Sequence, residues 1–254
     1  MRISLTRIVV LKAVALLLAF AGFPLVFVCL LFFGADVWLA YHLFVPGASG
    51  FARTFTRFET KQSEVWLTID DGPDPIDTPL ILELLDRHQA RATFFLIGER
   101  AARHPKLVAE IARRGHEIGH HTHTHPSGTF WCSAPEQIAY ELDATLPYLS
   151  PGNVLRPRRF RAPVGIKNPF LATALAQRGL RCIAWNVRSH DAFARDPAGV
   201  IARVLRQVRP GSVILMHEGP SLHTRVRVHA LAGVLTGLAE RNLRCVLPTD
   251  AQLR

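Results

Sequence analysis

The chain has 254 residues and carries 30 Lys and Arg against 20 Asp and Glu, a formal net charge of +10. With 49% hydrophobic residues, 17 Gly and 17 Pro, the composition excludes a disordered chain and a collagen-like chain. Four cysteines are too few for a disulfide scaffold, and the sequence contains no CxxC pattern that would indicate a cysteine-based metal site. We predict that Cys182 and Cys245 are buried free thiols.

The chain begins with an apolar segment. Ala13 to Ala35 is an uncharged run of 23 residues that follows three basic residues. Roughly 20 apolar residues are enough to cross a hydrocarbon core of about 30 Å. We therefore predict that residues 1–35 contain one uncleaved transmembrane helix. A cleaved signal peptide and a buried helix of a soluble protein are the alternatives. The preceding basic residues favour a cytoplasmic N-terminus, which predicts a single-pass protein whose remainder lies on the periplasmic or extracellular face.

Residues 36–63 are predicted to be a connector. Residues 64–254 are predicted to form one domain, because short apolar segments alternate there with amphipathic ones. The predicted strands are Val65–Ile69, Ala92–Ile97, Glu117–Gly119, Phe160–Ala162, Arg181–Val187, Ser212–Met216 and Leu243–Leu247. The predicted helices between them are Leu80–His88, Glu99–Arg114, Ser133–Tyr148, Pro169–Arg178, Asp196–Val208 and Arg225–Arg241. This alternation predicts an α/β fold, a closed or nearly closed (β/α)7-type barrel of parallel strands, with function at the carboxyl ends of the strands.

Acids and histidines follow several of these strands. Asp70 and Asp71 come after the first strand, and His121 and His125 come after the third. A spacing of four lets two imidazoles converge on one ion, and one acid with two histidines leaves an open position on Zn²⁺, as in catalytic sites. A second acid beside the ligand acid can take a proton from the bound water, and a histidine on another strand can donate one. Adventitious metal binding by a His-rich tract is the alternative.

Five ordered blocks then carry a family resemblance. They are Thr68–Pro73 (TIDDGP), Gly115–Pro126 (GHEIGHHTHTHP), Arg161–Gly165 (RAPVG), Arg188–Ala192 (RSHDA) and Leu215–His217 (LMH). Because it contains these blocks in this order, the chain resembles the NodB-homology polysaccharide deacetylases, which form carbohydrate esterase family 4. The resemblance covers most of residues 64–220 and implies hydrolysis of the amide of an N-acetylated amino sugar.

The resemblance also implies roles for individual residues. Asp71, His121 and His125 would bind a divalent metal, most often Zn²⁺ but also Co²⁺ or another ion. The metal would bind water and the substrate carbonyl oxygen and stabilise the tetrahedral oxyanion, helped by a backbone N–H group in the third block. Asp70 would be the general base, and Arg161 would keep it ionised through a charged hydrogen bond.

The last two blocks would supply the acid and part of the pocket. His217 would be the general acid, and Asp191 would orient it and support its protonated form. The resemblance places the substrate against Pro163, Val164, Leu215 and Ala192. Two histidines that differ from the family pattern, His120 and His123, are interpreted as loop packing or outer-shell residues.

The fourth block departs from the usual D-x-x-D-W pattern. Arg188 replaces the first Asp, and Ala192 replaces the Trp that, in the family, walls the pocket for the acyl methyl group. Val164 replaces a frequent aromatic residue. We therefore expect either a pocket that accepts an acyl group larger than acetyl or a gap filled by another residue such as Phe193.

Partners are predicted from the same features. The anchor favours a cell-envelope glycan, a polysaccharide or a lipid-linked amino sugar as substrate, and the membrane as partner through the N-terminal helix. The excess charge comes from 26 Arg and 4 Lys, but no zinc-finger spacing, RNP signature or basic-aromatic run indicates a nucleic-acid partner. A non-catalytic envelope protein that binds carbohydrate or metal is the alternative function.

Overall fold

The computed structural model describes residues 5–150, 155–219 and 224–253. Within them the strands are β1 (Thr54–Phe55), β2 (Glu64–Gly72), β3 (Ala92–Leu96), β4 (Glu117–His120), β5 (Arg159–Phe160), β6 (Arg181–Ile183), β7 (Val187–Arg188), β8 (Val213–His217) and β9 (Arg244–Cys245). The helices are α1 (Leu5–Phe20), α2 (Leu25–Phe44), α3 (Asp77–Arg87), α4 (Gly98–Arg103), α5 (Pro105–Arg113), α6 (Pro135–Asp143), α7 (Leu146–Leu149), α8 (Leu171–Gln177), α9 (Pro197–Gln207) and α10 (Thr224–Glu240).

The strands form a curled parallel sheet. Its order is β1-β6-β5-β4-β3-β2-β8-β7, and β9 pairs with the beginning of β2. Every ladder between named strands is parallel. Because no ladder joins β1 to β7 among the described residues, the sheet is a curled half-barrel. The predicted α/β fold, with parallel strands in a barrel-like sheet, is confirmed.

Two strands depart from the sequence prediction. Thr54–Phe55 lies in the predicted connector but pairs with Cys182 and Ile183. The single strand predicted over Arg181–Val187 is two strands, since β6 pairs with β1 and β5 while β7 pairs with β8. Asn186 occupies the bend between them, and its side-chain oxygen accepts a hydrogen bond from Val213 N at 2.8 Å. One apolar run therefore contributes to both ends of the sheet.

The N-terminal apolar run also differs from the prediction. It is bent into two helices, because α1 ends at Phe20 and α2 begins at Leu25. Gly22 in the bend has φ +80°, a conformation that glycine adopts readily, and Pro24 precedes α2, where its missing N–H costs nothing. Sequence hydropathy does not register this bend, because the residues around it are as apolar as the helices.

Helix α2 is, within the described residues, the one helix long and apolar enough to cross a membrane, and 11% of its apolar window is buried. Signal sequences share this property. The helix continues to Phe44, nine residues past the predicted end of the anchor at residue 35. The division of the chain at residues 35 and 63 remains a prediction.

The main core lies between the sheet and the helices packed outside it, and contains Ile69, Phe94 and Leu235 among other buried residues. A smaller cluster inside the curl of the sheet includes Trp66 and Phe95. Cys182 and Cys245 are free and buried, as predicted. The sheet register places Asp70 beside His217 and Leu96 beside His120, so the carboxyl ends of β2, β8, β3 and β4 bring the predicted site residues together.

Candidate active site

Three predicted metal ligands converge at the end of β2 and just after β4. The Oδ1 atom of Asp71 lies 3.4 Å from Nε2 of His121 and 3.4 Å from Nε2 of His125. One ligand atom from each residue lies within 4.8 Å of the others. Ligands about 2.0–2.1 Å from a tetrahedral Zn²⁺ are about 3.3–3.4 Å apart, so the two distances from Asp71 fit such an ion. Asp71 Oδ1 is buried and makes no hydrogen bond, as befits an atom that a cation would satisfy.

The protonation states suit metal binding. Burial alone would raise the pKa of the Asp71 carboxyl, but the imidazoles of His121 and His125 outweigh burial and hold it well below its usual range. Burial, together with the neighbouring His121, lowers the pKa of His125 to about 4. Asp71 is therefore ionised and His125 neutral near pH 7, which are the forms that bind metal ions.

The backbone orients His121. Its Nδ1 donates a hydrogen bond to the carbonyl of Arg161 at 2.9 Å, so Nε2 is the nitrogen left with its lone pair directed at Asp71. The loop that follows is strained, since Thr122 and His125 have φ +63° and +57°. Thr122 stabilises this shape because its hydroxyl oxygen accepts from His125 N at 3.2 Å.

Glu141 on α6 holds the same loop from outside. Its carboxylate accepts hydrogen bonds from the backbone N–H groups of His123 and Thr124 at 2.8 and 2.9 Å, and from the Thr124 hydroxyl at 2.7 Å. The side chain is buried, so these bonds compensate the cost of removing its charge from water. Sequence analysis missed Glu141, because its only signal is an acid on the apolar face of a helix.

The two other histidines of the loop pack it, as predicted. The Nε2 of His120 donates to the carbonyl of Leu142 at 2.9 Å. The ring of His123 lies 5.7 Å from that of Tyr140 and 6.2 Å from that of Tyr148. Burial lowers the pKa of His120 to about 4, so its ring is neutral near pH 7.

Asp70 and Arg161 form a buried ion pair beside the three ligands. Nη1 of Arg161 donates to Asp70 Oδ1 at 2.6 Å and to the Thr68 hydroxyl at 2.8 Å. Its other nitrogens donate to the carbonyls of Ile183 and Ala184, so the guanidinium is held in one position. The remaining oxygen of Asp70, Oδ2, lies 3.7 Å from His121 Nε2 and faces the ligand cluster.

His217 and Asp191 form a second pair across the site. Nδ1 of His217 donates to Asp191 Oδ1 at 2.7 Å, and the backbone N of His217 donates to Oδ2 at 2.8 Å. The Ser189 hydroxyl also donates to Oδ1, at 2.6 Å. Burial alone would lower the pKa of His217, but the hydrogen bond and charge of Asp191 outweigh burial and raise it to about 9. His217 is thus protonated near pH 7, and its Nε2 takes no part in the hydrogen bonds to Asp191.

The predicted pocket residues lie at the same rim. Leu215 and Pro163 are buried, whereas Val164 is 46% exposed and has φ +48°, a strained value for a β-branched residue. Ala192 is half-buried. Phe193 is 91% exposed, so it does not fill the space that the small Ala192 side chain leaves.

A buried polar cluster supports the Asp70–Pro73 turn from behind. Glu218 Oε2 accepts from the Thr78 hydroxyl at 2.5 Å, and Asp77 pairs with Arg227 at 2.6 Å. Burial and the neighbouring acids raise the pKa of Glu218 to about 8. A Cβ atom on Gly72 would lie 1.7 Å from Glu218 Oε1, so this close approach requires glycine.

The fold and the site together define a class of α/β half-barrels that gather an Asp–His–His cluster, a buried Asp–Arg pair and a His–Asp pair at the carboxyl ends of their strands. The chain belongs to the polysaccharide deacetylase family, whose model matches residues 57–183. The resemblance noted from the sequence is therefore confirmed.

Known relatives agree with this placement. The chain is 36% identical over 169 residues to a chitooligosaccharide deacetylase of Sinorhizobium fredii, covering 66% of this chain and 78% of that protein. A solved peptidoglycan N-acetylglucosamine deacetylase superposes with a TM-score of 0.71 at 31% identity, over 76% of this chain and 89% of the other. A family 4 carbohydrate esterase pseudoenzyme of Bacillus anthracis superposes with a TM-score of 0.68 at 26% identity, over 79% and 69% of the two chains.

Proposed function

We propose that the protein is a metal-dependent hydrolase that removes an N-acetyl or related N-acyl group from an amino sugar of a glycan, polysaccharide or lipid-linked sugar. The single observation that carries this proposal is the convergence of the Asp71, His121 and His125 ligand atoms within 4.8 Å, next to Asp70. The relatives named for deacetylation of chitooligosaccharide and peptidoglycan support the substrate class.

In this proposal Asp71, His121 and His125 hold the metal ion. A bound Zn²⁺, Co²⁺ or similar ion would polarise the amide carbonyl and lower the pKa of the attacking water. Asp70 takes the proton from that water, and Arg161 keeps its carboxylate in place for the transfer.

His217 then donates a proton from Nε2 to the leaving nitrogen, so that the C–N bond breaks and the amine leaves uncharged. Asp191 favours the protonated form of His217 and fixes the ring, since it accepts hydrogen bonds from both its Nδ1 and its backbone N–H. The rim residues Pro163, Val164, Leu215 and Ala192 bind the acyl group. The products are a carboxylate and an amino sugar with a free amine.

Asp70→Asn tests the assignment of the base. The amide preserves the shape of the side chain but cannot accept the proton, so we expect kcat for amine release to fall by about 10²–10⁴-fold with the metal content unchanged. Acetylated chito-oligosaccharides are the first substrate to measure. Wild-type turnover that Asp70→Asn retains would contradict the role of Asp70.

The alternative is a non-catalytic envelope protein that binds carbohydrate or metal. The likeness to the Bacillus anthracis pseudoenzyme shows that this fold exists without the activity. Metal bound to the purified protein, with no amine released from any glycan or lipid-linked substrate, would favour this alternative.

The acyl pocket gives a specificity prediction. Because Ala192 is small and Phe193 points into solvent, we expect the protein to accept acyl groups longer than acetyl. Ala192→Trp should lower kcat/KM for an N-butyryl substrate by about 10–100-fold while the acetyl substrate loses far less, since each methylene in a pocket contributes about 1–3 kcal/mol. Phe193→Ala is the matched control. It should leave unchanged the ratio of kcat/KM for the N-butyryl substrate to kcat/KM for the N-acetyl substrate. A wild-type protein active on acetyl substrates and inactive on longer ones would contradict the larger pocket.

The sequence predicts a single membrane crossing with the catalytic domain outside the cytoplasm. Helix α2 alone is long enough for that crossing, but α1 folds back along α2, and the two helices together favour a hairpin. The membrane itself remains the proposed partner of the N-terminal segment.

A further inference from the structure

Helices α1 and α2 form an antiparallel hairpin. Lys12 Nζ on α1 lies 2.8 Å from Asp36 Oδ2 on α2, and Ile8 lies in one buried cluster with Ala35 and Leu43. The first turns of α1 therefore meet the last turns of α2, and the bend at residues 21–24 lies at the opposite end. The polypeptide enters and leaves the hairpin at the same end.

The tip of the hairpin, defined as the part beyond the Lys12–Asp36 pair, is short, while exposed Val9, Val10 and Val37 lie on the other side of the pair. Beyond the Lys12–Asp36 pair it comprises residues 13–20 of α1 and 25–35 of α2, which at about 1.5 Å per residue are about 12 and 16 Å long. This is about half of a hydrocarbon core of about 30 Å, and matches one leaflet. Large apolar side chains point outward over this tip, among them Leu17, Phe20, Phe23, Phe27 and Leu30.

The ion pair fixes how deep the hairpin can lie. The Lys12 and Asp36 side chains are 28% and 47% exposed, so protein does not enclose them. At the middle of a bilayer such a pair would be costly, whereas at the boundary with the headgroups it keeps access to water. Trp38 and Tyr41 follow on α2, and these residue types favour the same interfacial level.

Charge determines the side of the membrane. The bend at residues 21–24 has no charged residue, whereas Arg7 and Arg53, both exposed, flank the other end of the hairpin. Basic residues beside membrane segments stay in the cytoplasm.

The end of the hairpin opposite the bend, where α2 ends, contacts the rim of the active site. The Lys167 side chain donates hydrogen bonds to the carbonyls of Val45 and Pro46 at 2.7 and 2.9 Å, and its backbone N donates to Leu43 O at 2.9 Å. Lys167 lies two residues after the turn Pro163–Gly165, which carries the rim residue Val164.

A second loop makes a similar contact. The ring of Phe44, the last residue of α2, lies 5.8 Å from that of Trp131. Trp131 belongs to the segment that follows the metal-binding loop with His125, and it is 40% exposed. Loops on two sides of the site thus lie at the level where the hairpin would leave the lipid.

We propose that α1 and α2 are a re-entrant hairpin inserted in the cytoplasmic leaflet, and that it presents the active site to amino sugars carried by lipids of that leaflet. The catalytic domain then faces the cytoplasm. The substrate part rests on the proposed deacylase function, whereas the placement of the hairpin does not.

Cysteine labelling in the full chain tests the placement. In a Cys29→Ala background, Cys132 is the exposed native thiol, because Cys182 and Cys245 are buried. With a membrane-impermeant maleimide on spheroplasts, we expect Cys132 to react only after the membrane is permeabilised. Phe23→Cys at the bend should react from neither side until detergent is added. Cys132→Ser in the same background is the control for signal from the buried thiols.

Either of two results would overturn the placement. Labelling of Cys132 in intact spheroplasts would put the catalytic domain outside. Labelling of Phe23→Cys from the outside, with Cys132 protected, would mean that the hairpin crosses both leaflets.

A matched pair of substrates tests the lipid carrier. Protein in vesicles is given N-acetylglucosamine phosphate linked to a polyprenyl chain, or the same sugar phosphate free in solution. Because both partners are confined to one surface, we expect kcat/KM to be about 10²-fold or more higher for the linked form. Equal values would overturn the lipid-carrier part. Absence of turnover for both would contradict the deacylase function, while the labelling result would still decide the hairpin.

Discussion

His121→Ala is expected to abolish stoichiometric metal binding and to lower kcat by about 10³-fold or more. The variant removes one of three ligands whose atoms lie within 4.8 Å of one another, and leaves Asp71 with one imidazole neighbour. Metal assistance contributes several kcal/mol to such a reaction, and about 4 kcal/mol corresponds to about 10³-fold in rate. Metal content by mass spectrometry and amine release by fluorescence labelling measure the two effects.

His123→Ala is the matched control for that variant. It removes a histidine of the same loop, but one whose ring packs against Tyr140 and Tyr148 rather than against Asp71. Its metal content should remain that of the wild type. Metal retained by His121→Ala, or lost from His123→Ala, would contradict the assignment of the ligands.

The second large effect is a change in pH dependence. A general acid must be protonated, and Asp191 raises the pKa of His217 to about 9 against the opposing effect of burial. Activity should therefore be present below pH 9 and be lost as the pH rises through that value. Asp191→Asn removes the charge that supports the imidazolium, so the loss should move down to about pH 6.5 or below. At pH 8 the protonated fraction then falls by about 30-fold, and kcat/KM with it.

Asp196→Asn is the matched control. Asp196 lies five residues further along the chain, where its carboxylate caps α9 by accepting from the N–H groups of Ala198 and Gly199. This variant should lose some stability but keep the position of the alkaline limb. An alkaline limb that does not move in Asp191→Asn would mean that His217 is not the group titrated.

The site residues could be located from the sequence because each directly follows an apolar strand. Asp70 and Asp71 lie at the end of β2, the histidines follow β4, and His217 ends β8. These residues meet at one edge, since parallel strands align their carboxyl ends. The type and spacing of these residues indicated the chemistry. Their roles remain proposals until variants are measured.

The supporting residues could not be found in this way. Glu141 is distant in sequence from the N–H groups that it accepts from, and the Thr78–Glu218 bond joins residues 140 positions apart. Such contacts depend on how helices are seated against the sheet, which local patterns do not encode. The strand at Thr54–Phe55 was missed for the same reason, because its partner among the described strands, β6, lies more than 120 residues further along the chain.

The bend in the apolar run had a local signal that composition concealed. Gly22 and Pro24 stand in the middle of the run, and both interrupt helices. Counting 23 uncharged residues favoured one span. Folded back on themselves, the same residues form a hairpin, and on that basis we propose that the catalytic domain faces the cytoplasm.

The most direct test of the proposed activity is to count the products of the wild-type protein with and without its metal. With an N-acetylated amino-sugar substrate, the metal-loaded protein should release one acetate for each free amine formed. A chelator should abolish both, and Zn²⁺ or Co²⁺ should restore both in parallel. Metal and sugar that bind to the protein without release of acetate or amine would contradict a hydrolase and indicate a binding protein.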